Sequence, residues 1–399
     1  MEELVAFLRG VFPGHYHDRL FLVGGVVRDF LIGRSGEDVD LIADIPGGYL
    51  QSLGFRHVEA KSAAPVYFLS HGAFGKIEIT LLEDGATIHD DLLHRDFTIN
   101  AVSMSLDGDV IDPLDGRKDM AEGLLRACSA HALRDDPIRI FRAFRFEAEG
   151  WRLDDDTEKL VAGVEWSPLM RGIPVERFSL EMLKALGKDD PVRFFRRMLD
   201  LRVGSEFLPE LFRMESIPAG PAGFHPDGNL AVHSLQTLQG AARATGNSTA
   251  RFCALFHDLG KLATSPALYP RHFGHDTAGY ALARDFCNRL RLPASLRKAL
   301  MWTCRLHLAV NRWSELRVST KMRVAEQALK AGIADILPLV SAADKPEGSG
   351  PGGWRAAVRI AGLTTAELGI DRERLMVIPV DDRQAFIIQK RTETFRKER

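Results

Sequence analysis

The sequence predicts an α+β fold: a small mixed α/β head, a helical neck, and an all-helical domain closed by a short tail. Three observations carry this prediction. Strand-like apolar segments are confined to residues from about 20 to 115, the apolar spacing turns helical from about 120 onward, and two Pro/Gly-rich breaks punctuate the helical part. A chain of 399 residues exceeds the size at which single cores divide, so about two to four domains are expected.

The head, residues 1–120, alternates short helices with candidate strands at Phe21 to Val23, Val39 to Ala43, Val66 to Ser70, Lys76 to Leu82 and Val110 to Ile111. A helix is predicted from Val26 to Ile32. In the neck, residues 121–215, Ile138, Phe141 and Phe144, and later Met182, Leu183 and Leu186, recur at helical spacing. Residues 216–229, from Ser216 to Asn229, are rich in Pro and Gly and read as a linker. Helical periodicity resumes over 230–345. A second breaker, Pro346 to Gly353, sets off the tail, 346–399, whose basic end reads as a frayed, solvated helix rather than a phosphate contact. The sequence carries no internal repeat or low-complexity tract.

An apolar fraction of 45% and a charged fraction of 27% fit a globular protein with a substantial core. No apolar run reaches membrane-spanning length, and Met1-Glu-Glu-Leu-Val-Ala-Phe-Leu-Arg9 lacks the apolar stretch of a signal peptide. Cytoplasmic residence and no membrane partner are the expectations. Cys128, Cys253, Cys287 and Cys304 are scattered without a C-x-x-C pair, which argues against a zinc ribbon or a disulfide framework. A net charge of -2 confines any nucleic-acid surface to a local basic patch.

The stretch from Leu22 to Asp40 combines an apolar run, the pair Gly24-Gly25, Arg28-Asp29 and the D-x-D of Asp38 and Asp40. Side chains two apart on a strand leave from one face, so the two carboxylates point together. They repel unless a cation sits between them, and hard oxygen donors suit Mg²⁺, which keeps positions free for substrate phosphate. Such a pair can clamp the attacking and leaving oxygens of an in-line displacement at phosphorus. Gly24 and Gly25 leave bare backbone N–H groups that can approach a phosphate, with Arg28 as a charge clamp. A lone D-x-D is more often a turn or a solvated face; the preceding G-G-x-x-R-D makes the pattern specific.

Further motifs follow. Glu78, in Ile77-Glu-Ile-Thr80, offers a third carboxylate, or else an exposed position on an amphipathic strand. His94-Arg-Asp-Phe-Thr-Ile-Asn100 gathers Arg95, Asp96 and Asn100, which suit ribose and triphosphate contacts. Ile111 to Asp119 reads as turn chemistry. In Asp135-Asp-Pro-Ile-Arg-Ile-Phe-Arg142, Asp136 and Arg139 lie three apart and can face one site on a helix. An acceptor beside a donor fork matches the edge of cytosine or adenine, an amino group next to a bare ring nitrogen, and mismatches uracil and guanine. The alternative is that Asp136 caps a helix beginning at Pro137. Arg142 repeats the spacing and can reach a triphosphate.

With these residues in place, the chain resembles the class II tRNA nucleotidyltransferases, the family that builds the 3′ C-C-A end of tRNA. The resemblance covers most of the chain, with five motifs in family order. It implies catalytic Asp38, Asp40 and Glu78 with Mg²⁺, and nucleotide contacts from Gly24, Gly25, Arg28, Arg95, Asp96, Asn100, Asp136, Arg139 and Arg142. The family's R-R-D appears as His94-Arg95-Asp96 and its E-D-x-x-R as Asp135-Asp136-x-x-Arg139. The later E-R motif, Glu176-Arg177, is expected as an ion pair of the neck. The implied partners are tRNA, CTP and, in a full C-C-A adder, ATP.

One departure bears on the product. Members that add the terminal A carry a flexible loop between the strand with the third carboxylate and R-R-D, and only Ile79 to Leu93 separates Glu78 from His94 here. The shortening resembles enzymes that add C-C and stop, leaving a separate A-adding enzyme to finish. The loop's physical role is a conformational shift of the base-reading pair from cytosine to adenine. The expected reaction is CMP transfer from CTP; the alternatives are a full C-C-A adder or a poly(A) polymerase.

A second constellation lies in the helical domain. His233, His257-Asp258 and Asp344 have the order of an HD-type metal site, with His272, His275 and His307 nearby. Imidazole and carboxylate donors suit Ni²⁺, Mn²⁺ or Fe better than Mg²⁺ alone. The subgroup with a C-terminal HD domain implies phosphohydrolase or phosphodiesterase activity, including on 2′,3′-cyclic phosphates. A further alternative is therefore an HD phosphohydrolase whose head tethers RNA.

Overall fold

The computed structural model describes residues 1–34, 38–58, 64–221, 228–348 and 350–398. They pack into two compact units, Met1–Glu165 and Trp166–Arg399, so the division falls inside the expected neck. The first unit is mixed α/β and the second is helical, as the sequence predicts. No described helix is long and apolar enough to cross a membrane.

The first unit is built on a seven-stranded sheet. Its strands are β1 (Leu20–Val23), β2 (Val39–Ala43), β3 (Arg56–Val58), β4 (Val66–His71), β5 (Gly75–Leu81), β6 (Ser103–Ser105) and β7 (Val110–Ile111), in the order β3-β4-β5-β2-β1-β6-β7. Only β2 and β5 run parallel. Two strands escaped the sequence reading. β3 is short and exposed along its length, and β6 is the Ser-Met-Ser segment, which carries little β-branched or aromatic signal. Leu20, Leu22, Leu41, Ile77 and Ile79 are buried, so the central strands owe their pairing to one shared apolar face.

The helix Gly25–Leu31 follows β1 directly, and the turn at Gly24 has φ of 69°, a left-handed conformation that glycine adopts without steric cost. From Ala132 onward the first unit turns helical. Ile138–Glu147 buries Ile138, Ile140, Phe141, Ala143, Phe144 and Phe146, which lie on every side of the helix, as in a helix embedded in the core.

In the second unit, helices Leu230–Ala244, Ser248–Phe256, His275–Arg289, Ala294–Asn311 and Ile336–Asp344 surround an apolar core that includes Phe252, Phe256 and Phe286. The described ends of the expected linker are built into this unit: Ile217 and Ala219 are buried, and Ala219 N–H donates to the Gly228 carbonyl at 3.1 Å. The basic end of the tail differs from the frayed helix expected. Val380–Lys397 is an 18-residue helix that buries Ile388, Thr392 and Phe395, and its Arg391 pairs with Glu326 at 3.0 Å while Gln384 donates to the same carboxylate. A buried acid on Val318–Ala331 thus fixes a helix whose net sequence character is polar.

Candidate functional site

Strand register brings the head's acids together. Val23, Asp40 and Glu78 are direct partners across β1, β2 and β5, so the two carboxylates leave neighbouring parallel strands side by side. Asp38 is exposed and lies one residue before β2 rather than within it, yet its charge still acts on Asp40. Burial first, then the neighbouring Glu78 and Asp38 charges, push the Asp40 carboxyl above its ordinary value, with Arg95 opposing. Glu78 meets the Lys76 ammonium at 2.5 Å. Three crowded carboxylates with one partly buried are a donor set that a divalent cation fits.

Beside them lies a connected polar network. Arg28 donates from Nη1 to Asn100 Oδ1 at 2.7 Å and from Nε to Asp29 at 2.9 Å, and its guanidinium lies over the Phe146 ring. Asn100 Nδ2 donates to Asp96 Oδ1 at 3.0 Å, while the other Asp96 oxygen pairs with Arg142 at 2.9 Å. Arg95 donates to Asp91 at 2.8 Å and to the Asn100 carbonyl at 3.5 Å. Asp96 and Asn100 are both buried, so they hold the arginines, and reach a nucleotide only through them. Burial works against the Asp96 charge, but Arg142 together with the hydrogen bonds from Asn100 and the Phe97 N–H outweighs it and holds the carboxyl below its ordinary value. A Cβ on Gly24 would stand 3.2 Å from Arg95 Nη1 and 3.9 Å from Asp40 Oδ2, and one on Gly25 3.7 Å from Arg28 Nη2. The two glycines therefore keep the backbone bare between the acids and the arginines.

Asp136 and Arg139 are placed differently from the expected single helical face. Asp136 is extended and precedes the helix Ile138–Glu147, whose N-cap is Pro137 with no side-chain cap hydrogen bond. Proline at that position presets the helical backbone and ejects the residue before it from helical geometry. Arg139 Nη1 donates to the Ala132 carbonyl at 3.0 Å and the Arg95 carbonyl at 3.4 Å, and Nη2 to the His94 carbonyl at 3.0 Å. Backbone on both sides thus fixes the plane of the guanidinium.

The connection after β5 is short. Residues 82–87 lead to the helix Ile88–Leu93, whose start carries a capping box in which Thr87 and Asp90 satisfy each other's backbone N–H groups.

The second unit buries a denser cluster. His233 Nε2 lies 3.1 Å from Asp344 Oδ1 and 3.5 Å from Asp258 Oδ2, and His257 Nε2 lies 3.3 Å from Asp258 Oδ2 and 3.6 Å from Asp344 Oδ1. The other oxygen of Asp258, Oδ1, faces His275 Nε2 at 3.2 Å and His307 Nε2 at 3.3 Å. Lys261 Nζ reaches Asp258 Oδ2 at 2.6 Å and the Ala219 carbonyl at 2.5 Å. The sequence reading named all of these but Lys261's role and Asn311, which donates to Asp344 at 2.5 Å. His272 does not join. Its ring nitrogens bond the Pro218 carbonyl and Thr264, a structural role.

Gly260 permits the cluster. A Cβ there would fall 1.8 Å from the His275 carbonyl, so only glycine lets the helix His275–Arg289 approach the turn after Asp258. Burial disfavours the charged His257, but Asp258 and Asp344 outweigh it and carry the imidazole up to about 10. Burial likewise opposes the Asp258 and Asp344 charges, while Lys261 and His257 for the first and His257 for the second hold them well below the ordinary range.

Glu176 meets Arg291 at 3.0 Å on an exposed face of the second unit.

Comparisons with known proteins agree with this arrangement. Residues 74–126 match the family described as Poly A polymerase head domain, 152–214 the probable RNA and SrmB-binding site of polymerase A, and 230–345 the HD domain. The chain is 36% identical over 330 residues to a multifunctional CCA protein of Alkalilimnicola ehrlichii, covering 77% of this chain and 78% of the relative. Its fold is like that of the Thermotoga maritima CCA-adding enzyme complexed with tRNA (20% identity, TM-score 0.65, 99% and 92% of the two chains). It is also like the Bacillus stearothermophilus CCA-adding enzyme in complex with CTP (23%, TM-score 0.64, 99% and 91%). A head with its acids in strand register, an RNA-binding segment and an HD domain in this order, on a chain this similar to a multifunctional CCA protein, belong to the CCA-adding tRNA nucleotidyltransferase family, and this chain is a member of it.

Proposed function

We propose that this nucleotidyltransferase moves CMP from CTP to the 3′ end of tRNA, twice, and stops at C-C. The observation that carries the reaction is the strand pairing of Asp40 with Glu78, with Asp38 beside them and the arginine network adjoining. The tRNA 3′ hydroxyl oxygen forms a bond to the α-phosphorus as the bond to pyrophosphate breaks. Asp38, Asp40 and Glu78 would hold Mg²⁺, which when bound neutralises charge on the attacking and leaving oxygens. Arg28, Arg95 and Arg142 hold the triphosphate and ribose, and Asn100 and Asp96 keep those arginines oriented. Asp136 accepts the base's amino group. Arg139, pinned on three carbonyls, keeps Nε and one Nη2 hydrogen free among the described residues, a fork fixed before the base arrives.

The stop at C-C rests on the capped connection 82–87, which leaves no flexible segment to re-aim the reading pair. The test is extension of tRNA lacking its 3′ end, resolved to single nucleotides, with CTP, ATP or both. Two additions with CTP and none further with ATP are expected. A third nucleotide with ATP makes the enzyme a full C-C-A adder. No extension in Mg²⁺ removes the head's role.

The buried His/Asp cluster supports a second activity, hydrolysis of a phosphate ester at a metal centre in the HD domain. Its nitrogen and oxygen donors suit Mn²⁺, Ni²⁺ or Fe, and loss of that hydrolysis in His257→Ala with CMP transfer intact is the expected result.

A further inference from the structure

We propose that a cleft of the second unit, between the helices Pro191–Asp200 and Leu230–Ala244, is a pocket for one unpaired guanine base of the RNA substrate. The cleft has a volume of about 350 Å³, in the range of small-ligand sites. None of the described residues that line it belongs to the nucleotidyl-transfer site or to the His/Asp cluster. His233 is on the helix Leu230–Ala244 too, but Val232, Gln236 and Gln239 leave that helix on its other side.

Helical spacing builds the two walls. Arg196, Leu199 and Asp200 lie three and four apart on one stripe of Pro191–Asp200, and Val232, Gln236 and Gln239 repeat that spacing on Leu230–Ala244. Leu199, Ala231 and Leu235 are buried and make an apolar floor, while Arg196, Asp200 and Gln236 are exposed and Gln239 is half-buried around it. Arg196 and Asp200 stand one helical turn apart and do not pair with each other. Neither they nor Gln236 and Gln239 have a hydrogen bond or ion pair with another described residue. The second acid at the cleft, Glu215, is taken by Arg202.

This set suits a flat neutral ring. One free guanidinium balanced by one free carboxylate gives no excess positive charge to draw a phosphate into the cleft, whereas an apolar floor takes the face of a base and an arginine stacks on it. A carboxylate only accepts. Guanine alone among the RNA bases sets two N–H groups side by side on one edge for Asp200; adenine and cytosine place their amino group beside a bare nitrogen, and uracil has one N–H between carbonyls. Gln236 and Gln239, each a donor and an acceptor, can meet the remaining edge. The Asp136 and Arg139 pair of the head mismatches guanine, so a guanine preference has to arise elsewhere on the chain. Arg196, Leu199 and Asp200 belong to the segment 152–214 that matches the RNA-binding family, which favours RNA over a free nucleotide as the source of the base.

The experiment measures binding of fluorescent oligouridylates carrying one central guanine or one central adenine to the full chain, with GMP as competitor, and repeats it with Asp200→Ala. The guanine oligomer is expected to bind about 10-fold more tightly than the adenine one, the scale of one good two-point base contact, and the preference should fall to within about twofold in Asp200→Ala with the melting temperature unchanged. In the parent chain, 6-thioguanosine at the central position should crosslink within Pro191–Asp200 or Leu230–Ala244, a result that needs no variant to fold. No guanine preference, a preference that survives Asp200→Ala, or a crosslink outside these helices overturns the pocket. Competition by GMP at the affinity of the oligomer overturns RNA as the source. None of these readouts uses nucleotidyl transfer, so they stand or fall apart from the proposed reaction.

Discussion

The head and the HD unit both concentrate carboxylates, and they differ in what surrounds them. In the head, Asp38 is exposed, Asp40 half-buried and Glu78 balanced by a solvated lysine, and every donor is an oxygen. In the HD unit, the Asp258 and Asp344 side chains are buried among four imidazoles, three of whose rings are held by backbone carbonyls. The head's carboxylates stay open to solvent, as suits a site that exchanges its nucleotide. The HD cluster has its desolvation built into the fold. An open oxygen site and a closed nitrogen-oxygen site are therefore expected to respond differently to the same insult.

The largest expected break is in the head. Asp96→Asn keeps shape but leaves Arg142 without its charge partner, which should cost about 3 kcal/mol, the lower end for a buried pair because Arg142 is partly solvated. Urea unfolding of the first transition measures it. Because the folded Asp96 carboxyl sits below its ordinary value, its contribution is present above the unfolded value of about 3.9 and fades as pH falls toward the folded one. The variant should lack that acid-side loss. A loss of stability independent of pH in this window would mean that Asp96 acts through packing instead.

Gly260→Ala should act only on the other side of the comparison. Its Cβ has no space against the His275 carbonyl, so the helix must move away from Asp258, at a cost of about 1–3 kcal/mol. A lowered melting temperature of the HD unit, with CMP transfer unchanged, is the expected pattern. Unchanged melting would show that the helix approach is softer than drawn.

The smallest effect sharpens the account of the wall behind the network. The Cys128 thiol is pushed up to about 12, by burial first and then by Asp96, so a thiolate-directed reagent at pH 8 should label it at least about 100-fold more slowly in the folded chain than in urea. Asp96→Asn should narrow that gap. Equal rates would show that the fold does not hold the thiol in its protonated form.

How much of this could be read from sequence varies by residue for physical reasons. The closeness of Asp38 and Asp40 was legible because a D-x-D spacing is local, although Asp38 lies just before the strand rather than on it. That Asp40 and Glu78 are register partners was not, since parallel pairing across β2 and β5 is set by non-local packing of Leu41, Ile77 and Ile79. Asp136 and Arg139 were found by spacing, but the Pro137 that separates them was read as part of one helix, and its effect on the preceding residue moved Asp136 off that helix. His275 and His307 were noted as neighbours, yet only the tertiary fold shows that they face the second oxygen of Asp258. The burial of the tail helix was missed because its partner acid, Glu326, lies far away in sequence.

The most direct test of two separate sites on one chain is CMP incorporation into tRNA lacking its 3′ end by Asp40→Ala and His257→Ala, each compared with the parent in Mg²⁺. The account predicts a fall of about 1000-fold for Asp40→Ala, the scale of removing a principal electrostatic element of a transition state, and a rate within about twofold of the parent for His257→Ala. Substantial transfer by Asp40→Ala, or its loss in His257→Ala with the head still folded, would contradict it.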